Sequence, residues 1–142
     1  MELQRSEIES LLPHRSPFLF LDEVVDLLPG VSGVGIHHVR ADAFWVPGHF
    51  PGEPIMPGVL ISEAMAQVAG VVFMAAHTEK SGQALYLVGL EKFRFRRPVR
   101  PGDTLRLEVS VQEQRRSLWW FKGIATVDGK KVADGQLMAT SS

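Results

Sequence analysis

The 142-residue chain has a net charge of −1 and 45% hydrophobic residues, a balance typical of globular proteins rather than disordered ones. Its length fits one compact domain over residues 1–142. With no cysteine, the sequence excludes a disulfide framework, a thiolate zinc site and a cysteine nucleophile. The near-neutral charge favours neither nucleic acid nor a membrane surface. Because the polar N-terminal residues lack the pattern of a signal peptide, we expect a cytoplasmic protein.

The first 40 residues predict a short helix followed by two strands. A capping box formed by Ser6 and Glu9 is expected to begin the helix, and Pro13 to end it. Residues 18–28 and 31–40 are rich in residues that favour strands, and the Pro-Gly pair between them is typical of a turn. This part of the chain therefore predicts a β-hairpin preceded by a helix.

Residues 47–58 contain four prolines and three glycines, which neither a helix nor a central strand tolerates. They predict an ordered loop. Residues 57–80 follow as one long helix, with proline in the first turn and apolar side chains on nearly every face. A helix of this kind is buried on all sides, so we expect the rest of the chain to surround it.

The C-terminal half predicts four strands, over residues 85–97, 104–111, 117–127 and 130–139. Asp128-Gly129 between the last two is a strong hairpin signal. In the first strand we expect the phenylalanines to face inward and the basic residues outward. Packing then favours an α+β fold in which an antiparallel sheet curls around the central helix.

One acidic residue, Glu63, lies among the apolar residues of the predicted central helix. Burial of a carboxyl group favours its neutral form, which is able to donate a proton. The alternative is that Glu63 faces solvent or pairs with an arginine. Gln67 lies four residues on, where it is able to orient Glu63 through a hydrogen bond, although its amide is equally well satisfied by backbone groups.

His49 lies in the proline-rich loop just before this helix. An imidazole titrates near neutral pH and suits a general base, although a lone loop histidine is often incidental. The amides of Gly58 and Val59 at the helix start are able to polarise a carbonyl oxygen, unless they are capped by water or a side chain. A base, an acid and an oxyanion site suit proton abstraction next to a carbonyl with loss of a β-leaving group.

Two further groups of charged residues have a structural and a functional interpretation. The remaining histidines are interpreted as structural or surface residues: His14, His37, His38 and His77. A basic cluster is either a solvated strand face or a docking patch for an acidic partner. Its members are Lys92, Arg94, Arg96, Arg97 and Arg100.

Several motifs together carry a resemblance to a known family. They are Leu-Pro-His-Arg-Ser-Pro-Phe-Leu at residues 12–19, Gly-His-Phe-Pro-Gly at 48–52, Pro-Ile-Met-Pro-Gly-Val-Leu at 54–60, Glu-Ala-Met-Ala-Gln at 63–67, and Phe-Arg-Arg-Pro-Val with Pro-Gly-Asp within 95–103. On these motifs the chain resembles the FabZ-type 3-hydroxyacyl-acyl carrier protein dehydratases of bacterial fatty acid synthesis, over nearly its whole length. The bulky stretch at residues 44–47 departs from the family pattern.

The resemblance implies a hot-dog fold and dehydration of a (3R)-3-hydroxyacyl chain to its trans-2-enoyl form. It implies that His49 takes the α-proton and that Glu63, contributed by a second subunit, assists departure of the hydroxyl group; how the proton steps divide stays open. It implies an acyl tunnel at a homodimer interface, gated by Tyr86, and trimers of dimers. Glu63, which is Asp in the sister FabA-type enzymes, favours dehydration without isomerisation.

The resemblance also implies that the partner is an acyl carrier protein bearing 4′-phosphopantetheine, with no metal and no organic cofactor in this chain. It leaves open the acyl-chain length and the choice between fatty acid, lipid A and specialised pathways. Two other activities remain as alternatives, a hot-dog thioesterase and a non-catalytic sensor of acyl thioesters. The presence of both His49 and Glu63 favours the dehydratase.

Overall fold

The computed structural model describes residues 1–141, which form seven strands and two α-helices. In chain order these are β1 (Leu3–Gln4), α1 (Arg5–Leu11), β2 (Glu23–Leu28), β3 (Ser32–His38), α2 (Gly58–Ala76), β4 (Leu85–Phe95), β5 (Thr104–Arg115), β6 (Leu118–Val127) and β7 (Lys130–Ser141). A short 3₁₀ turn follows α2 at Thr78–Lys80. The strands make one sheet in the order β1-β2-β3-β5-β6-β7-β4.

The sheet is antiparallel throughout and curls around α2, so the expected hot-dog fold is confirmed. Glycines let the helix approach the sheet closely. A Cβ at Gly35 of β3 would lie 2.5 Å from Val68, and one at Gly123 of β6 would lie 2.6 Å from the sulfur of Met65. These distances leave no room for a side chain at either glycine. The Asp128-Gly129 turn has positive φ at both residues, as this hairpin type requires.

One stripe of α2 is not covered by the sheet. The side chain of Val59 is 71% exposed, and Glu63 and Ala66, which follow on the same helical face, are half-buried. The expectation of a helix buried on all sides is therefore wrong for this stripe in a single chain. By length and composition α2 is apolar enough to cross a bilayer, but 67% of its most apolar window is buried inside the protein, as in a core helix.

The N-cap of the first helix lies two residues before the predicted N-cap, Ser6. Its N-cap is Gln4, whose backbone N–H donates to the Glu7 carboxylate over 3.0 Å, so the capping box at Ser6 and Glu9 is wrong. The reason is the pairing of β1 with β2. It orders the backbone up to Gln4, and the helix starts directly after that strand.

Two other predicted boundaries are also wrong, and side chains explain both. The strand expected from residue 18 begins only at Glu23. The reason is that the backbone groups of Phe18 and Phe20 form hydrogen bonds with the Gln67 side chain instead of with a neighbouring strand. The helix expected to reach residue 80 ends at Ala76. There the Nδ1 atom of the His77 ring forms a 3.0 Å hydrogen bond with the Phe73 carbonyl. This bond competes with the helical N–H for the same carbonyl oxygen.

Strand β4 lies at the edge of the sheet and, within residues 1–141, pairs only with β7. Register shifts interrupt that pairing, and Lys92 has a positive φ of 54° beside the second of them. This irregularity turns Phe95 outward, to 53% exposure, so the expected inward position is wrong for Phe95, while Phe93 packs against the core. The exposed apolar residues of β4 are Tyr86, Leu87, Val88, Leu90 and Phe95.

Asp22 joins the segment before β2 to the end of β3. Its carboxylate accepts a hydrogen bond from the His38 amide at 2.7 Å and one from Arg40 at 3.1 Å, and it lies 3.6 Å from the His37 ring. Burial by itself raises the pKa of the Asp22 carboxyl, but the interactions with His37, the His38 amide and Arg40 outweigh it. They hold that pKa well below its usual range.

A carboxyl whose pKa is lowered by folding stabilises the protein above its unfolded pKa of about 3.9, and this contribution disappears as the pH falls through the folded pKa. Asp22→Asn should therefore lower the free energy of unfolding by about 1–2 kcal/mol at pH 7. The difference from the parent should shrink below about pH 4. Urea unfolding at several pH values measures it. Asp42→Asn, a change at an exposed residue, is the control, and a pH-independent difference for Asp22→Asn would contradict the assignment.

Candidate active site

The loop that carries His49 is held by backbone bonds on both sides of the residue. The His49 N–H donates to the Trp45 carbonyl over 3.0 Å, and the His49 carbonyl accepts from the Ile55 N–H over 2.8 Å. Trp45 and Met56 anchor the two ends of the loop in the core. The imidazole also stacks on the Phe50 ring, with centroids 4.0 Å apart. These contacts hold the ring in one position before any substrate arrives.

The tautomer of His49 follows from its ring contact. Nδ1 lies 2.7 Å from the Ile55 carbonyl oxygen, which can only accept a hydrogen bond. Nδ1 must therefore carry the proton in the neutral ring. Nε2 is then left with a free lone pair, so the geometry makes Nε2 the basic atom of His49.

The start of α2 lies beside this imidazole. His49 and Gly58 line the same pocket, of about 260 Å³, together with Phe95. A Cβ at Gly58 would lie 3.0 Å from the Phe95 ring, so the ring covers the glycine closely. The amides of Gly58 and Val59 lie in the first turn of α2, where no earlier helical carbonyl can accept a hydrogen bond from them. Within residues 1–141 neither amide donates a backbone hydrogen bond. Gly58 thus brings an N–H without a backbone acceptor to the pocket that contains His49, and Val59 follows it at the helix start.

Glu63 lies one and a half helical turns further along α2, and its side chain is 26% exposed. The full burial expected for it is therefore not found in a single chain. Its Oε2 accepts a hydrogen bond from Gln67 Nε2 over 2.9 Å. The Gln67 amide, 1% exposed, is fixed in turn by Phe20 N–H and the Phe18 carbonyl, each at 2.8 Å. A buried amide with three directed hydrogen bonds orients the carboxyl group.

Glu63 lines a second pocket, of about 340 Å³, which also contains Tyr86 and His14. Tyr86 is 55% exposed at the mouth of this pocket. His49 and Glu63 line separate pockets. The two pockets border opposite ends of β4, because Leu85–Leu87 lines one and Phe95 lines the other.

The basic cluster extends from β4 to the turn before β5 and is exposed. Arg96 donates paired hydrogen bonds to the Asp134 carboxylate. Burial by itself raises the pKa of that carboxyl, but the interactions with Lys131 and Arg96 outweigh burial and lower the pKa. Arg100 lies 3.4 Å from Glu53. For the other three members, Lys92, Arg94 and Arg97, no ion pair is found in the described part of the chain. Arg96 and Arg97 also line the His49 pocket.

The histidines interpreted as structural or surface residues divide into two groups. His37 and His38 contact Asp22, and His77 stacks on Phe73 at the end of α2. His14 differs, because its Nε2 lies 3.5 Å from Glu63 Oε2. The sequence favoured a structural or surface role for His14. Nothing in its local pattern shows that the turn after α1 lies against the carboxyl group of α2.

Comparisons with known proteins show the family to which this chain belongs. A FabA-like domain model matches residues 12–136. The 3-hydroxyacyl-[acyl-carrier-protein] dehydratase FabZ of Syntrophotalea carbinolica is 50% identical over 139 residues, covering 98% of this chain and 95% of the relative. The FabZ of Myxococcus xanthus is 45% identical over 135 residues, covering 94% and 88%. This chain belongs to the FabZ-type dehydratase family.

Solved structures share the fold of this FabZ-family chain at low sequence identity. The dehydratase heterocomplex ApeI:P from Xenorhabdus doucetiae superposes with a TM-score of 0.79 at 21% identity, covering 95% of this chain and 90% of that one. A hypothetical thioesterase from Streptococcus pneumoniae, solved with coenzyme A, superposes with a TM-score of 0.64 at 13% identity, covering 84% of each chain. The fold thus occurs with different activities and does not by itself define the reaction.

The Gln67 network has a measurable role in stability. Gln67→Met keeps the side-chain length but leaves the buried Phe20 N–H without its acceptor. An unsatisfied buried donor costs about 1–3 kcal/mol, so the free energy of unfolding should fall by about that amount. Chemical denaturation measures the loss. Gln83→Met, at an exposed position, is the matched control, and equal stability of the two variants would contradict the proposed importance of the network.

Proposed function

We propose that this chain catalyses dehydration of (3R)-3-hydroxyacyl-acyl carrier protein to the trans-2-enoyl form, in the cytoplasm, as a step of type II fatty acid biosynthesis. Membership of the FabZ family supports the reaction class. The observation that carries the assignment of residues is the position of a base and an acid at opposite ends of one edge strand. His49 with an unprotonated Nε2 lies at one end of β4, and Glu63 lies at the other.

The active site is assembled from two copies of the chain. The exposed apolar residues of β4 and its unpaired backbone edge favour pairing with a second β4. In an antiparallel pair, the Leu85 end of one strand lies beside the Phe95 end of the other. The Glu63 pocket of one subunit then meets the His49 pocket of its partner. A homodimer with two equivalent sites follows from the symmetry, and a trimer of dimers remains a prediction from the family resemblance.

In this arrangement His49 Nε2 takes a proton from the carbon next to the thioester carbonyl. The carbonyl oxygen gains negative charge, which the amides of Gly58 and Val59 stabilise. Glu63 of the opposing subunit donates a proton to the hydroxyl group on the β-carbon, and that group leaves as water while the carbon–carbon double bond forms. Transfer of the α-proton from His49 to the Glu63 carboxylate returns both groups to their starting states.

The uncovered stripe of α2 gives the acyl chain a place to lie. Beyond Glu63 the same helical face continues through Ala66 to the buried Gly70, two small residues that line the same pocket as Tyr86. The partner subunit would close this groove into a tunnel, and the ring of Tyr86, at the pocket mouth, would act as its gate. An apolar enclosure also removes water from the reacting groups, which strengthens their electrostatic interactions.

The basic cluster is proposed as the docking surface for the acyl carrier protein. Lys92, Arg94 and Arg97 are available to an acidic partner, and Arg96 and Arg100 already share their charge with acidic residues of this chain. Because Arg97 also lines the His49 pocket, a carrier bound here would present its 4′-phosphopantetheine arm at the entrance to the site. Positive charge at the entrance accelerates encounter with an acidic partner, and this effect weakens with salt.

A general acid or base contributes roughly 10²–10⁴ to the rate, so His49→Ala and Glu63→Gln should each lower kcat by at least about 100-fold. The measurement is appearance of enoyl absorbance from a 3-hydroxyacyl thioester, with released thiol followed in parallel. Circular dichroism and gel filtration check fold and assembly.

The matched controls are His38→Ala and Glu79→Gln, which change the same residue types at exposed positions and should leave activity unchanged. Near-normal dehydration in both active-site variants would rule out the mechanism. Release of thiol without enoyl product would instead identify a thioesterase.

A further inference from the structure

His14 lies against the proposed acid, although it is outside the motifs that contain His49 and Glu63. It lies in the turn after α1, and its Nε2 is 3.5 Å from Glu63 Oε2 across their shared pocket. The backbone of this turn is fixed by Arg15, whose guanidinium donates to the carbonyls of Leu12 at 2.9 Å and His14 at 2.6 Å. Leu12 is buried against Gly70 of α2, so the turn is tied to the helix that carries Glu63.

The Gln67 side chain shows which Glu63 oxygen is an acceptor. Gln67 Oε1 accepts the Phe20 N–H, so its Nε2 must be the atom that faces Phe18 and Glu63. Both Nε2 protons are then used, one on the Phe18 carbonyl and one on Glu63 Oε2. An oxygen that already receives an N–H cannot also direct a proton of its own toward the same nitrogen. Oε2 therefore accepts one hydrogen bond, and a second donor to it would occupy both of its lone pairs.

The surroundings of His14 favour one neutral tautomer. Within residues 1–141 its Nδ1 is buried and has no hydrogen-bond partner. A proton on Nδ1 would leave a buried N–H without an acceptor and would also aim the Nε2 lone pair at a carboxyl oxygen. A proton on Nε2 leaves only a lone pair buried and directs an N–H toward Glu63 Oε2. The Nε2-protonated tautomer is thus the one that fits the site.

We propose that His14 is a positioning residue for Glu63. It supplies a second donor to Oε2 beside that of Gln67, and the two donors together fix Oε2 as the acceptor. The acidic proton of Glu63 then lies on Oε1, the oxygen directed to the substrate hydroxyl group. This inference rests on the proposed role of Glu63 as the acid, and it identifies the atom that donates the proton.

The test compares two substitutions of equal length. His14→Gln keeps an N–H donor near the position of Nε2, and His14→Met removes it. Glu63 becomes a charged carboxylate as it gives up its proton, so a hydrogen bond to it is stronger in the transition state than to the neutral acid. His14→Met should therefore lower kcat by about 10- to 100-fold, with KM within about twofold of the parent. His14→Gln should recover most of that loss. Equal activity of both variants, or a loss confined to KM, would overturn the proposal.

Two further measurements separate this inference from the proposed function. In a Glu63→Gln background, His14→Met should cause little additional loss, because His14 acts through the carboxyl group. If Glu63→Gln alone left activity intact, the proposed function would fail; if Glu63→Gln abolished activity and His14→Met did not change it, only the role of His14 would fail. Nitrogen NMR of the imidazole should show the proton of His14 on Nε2, and a proton on Nδ1 would overturn the assignment.

Discussion

The division of the site between two pockets of one chain is the constraint on which this account depends. The His49 pocket contains the proposed base and Gly58 at the start of α2, and the Glu63 pocket contains the proposed acid with the small residues Ala66 and Gly70. The edge strand β4 borders both. A second copy of the chain paired along β4 is the simplest structure that covers the exposed apolar residues of this strand and brings the two pockets together.

The polar groups of the site are held by the protein before substrate binds. The Ile55 carbonyl selects the tautomer of His49, and the Gln67 amide selects the accepting oxygen of Glu63. Each of these partners is fixed in turn by backbone bonds or by burial in the core. Binding energy from the substrate is then not needed to orient His49 and Glu63, and such preorganisation favours proton transfer.

The core of the fold was predictable because its signals are local. The apolar run of α2 and the Asp128-Gly129 turn each specify one element. In β5 the polar residues alternate with Leu105, Leu107, Val109 and Val111, which specifies a strand with one buried face. Together these signals predict the wrapped helix. The features that the sequence did not predict depend on contacts between segments that are distant along the chain. The position of Phe95 results from an irregularity in pairing with β7, the late start of β2 from the Gln67 side chain, and the position of His14 from packing of Leu12 on α2.

The most direct test of the account asks whether one site uses two chains. The His49→Ala and Glu63→Gln chains are each expected to be inactive alone, and the measurement is dehydration by dimers formed from an equal mixture of the two. If random pairing makes half of the dimers mixed, with one intact site of two in each, activity should return to about one quarter of the parent value. Activity no higher than that of either variant alone would contradict an active site shared between subunits.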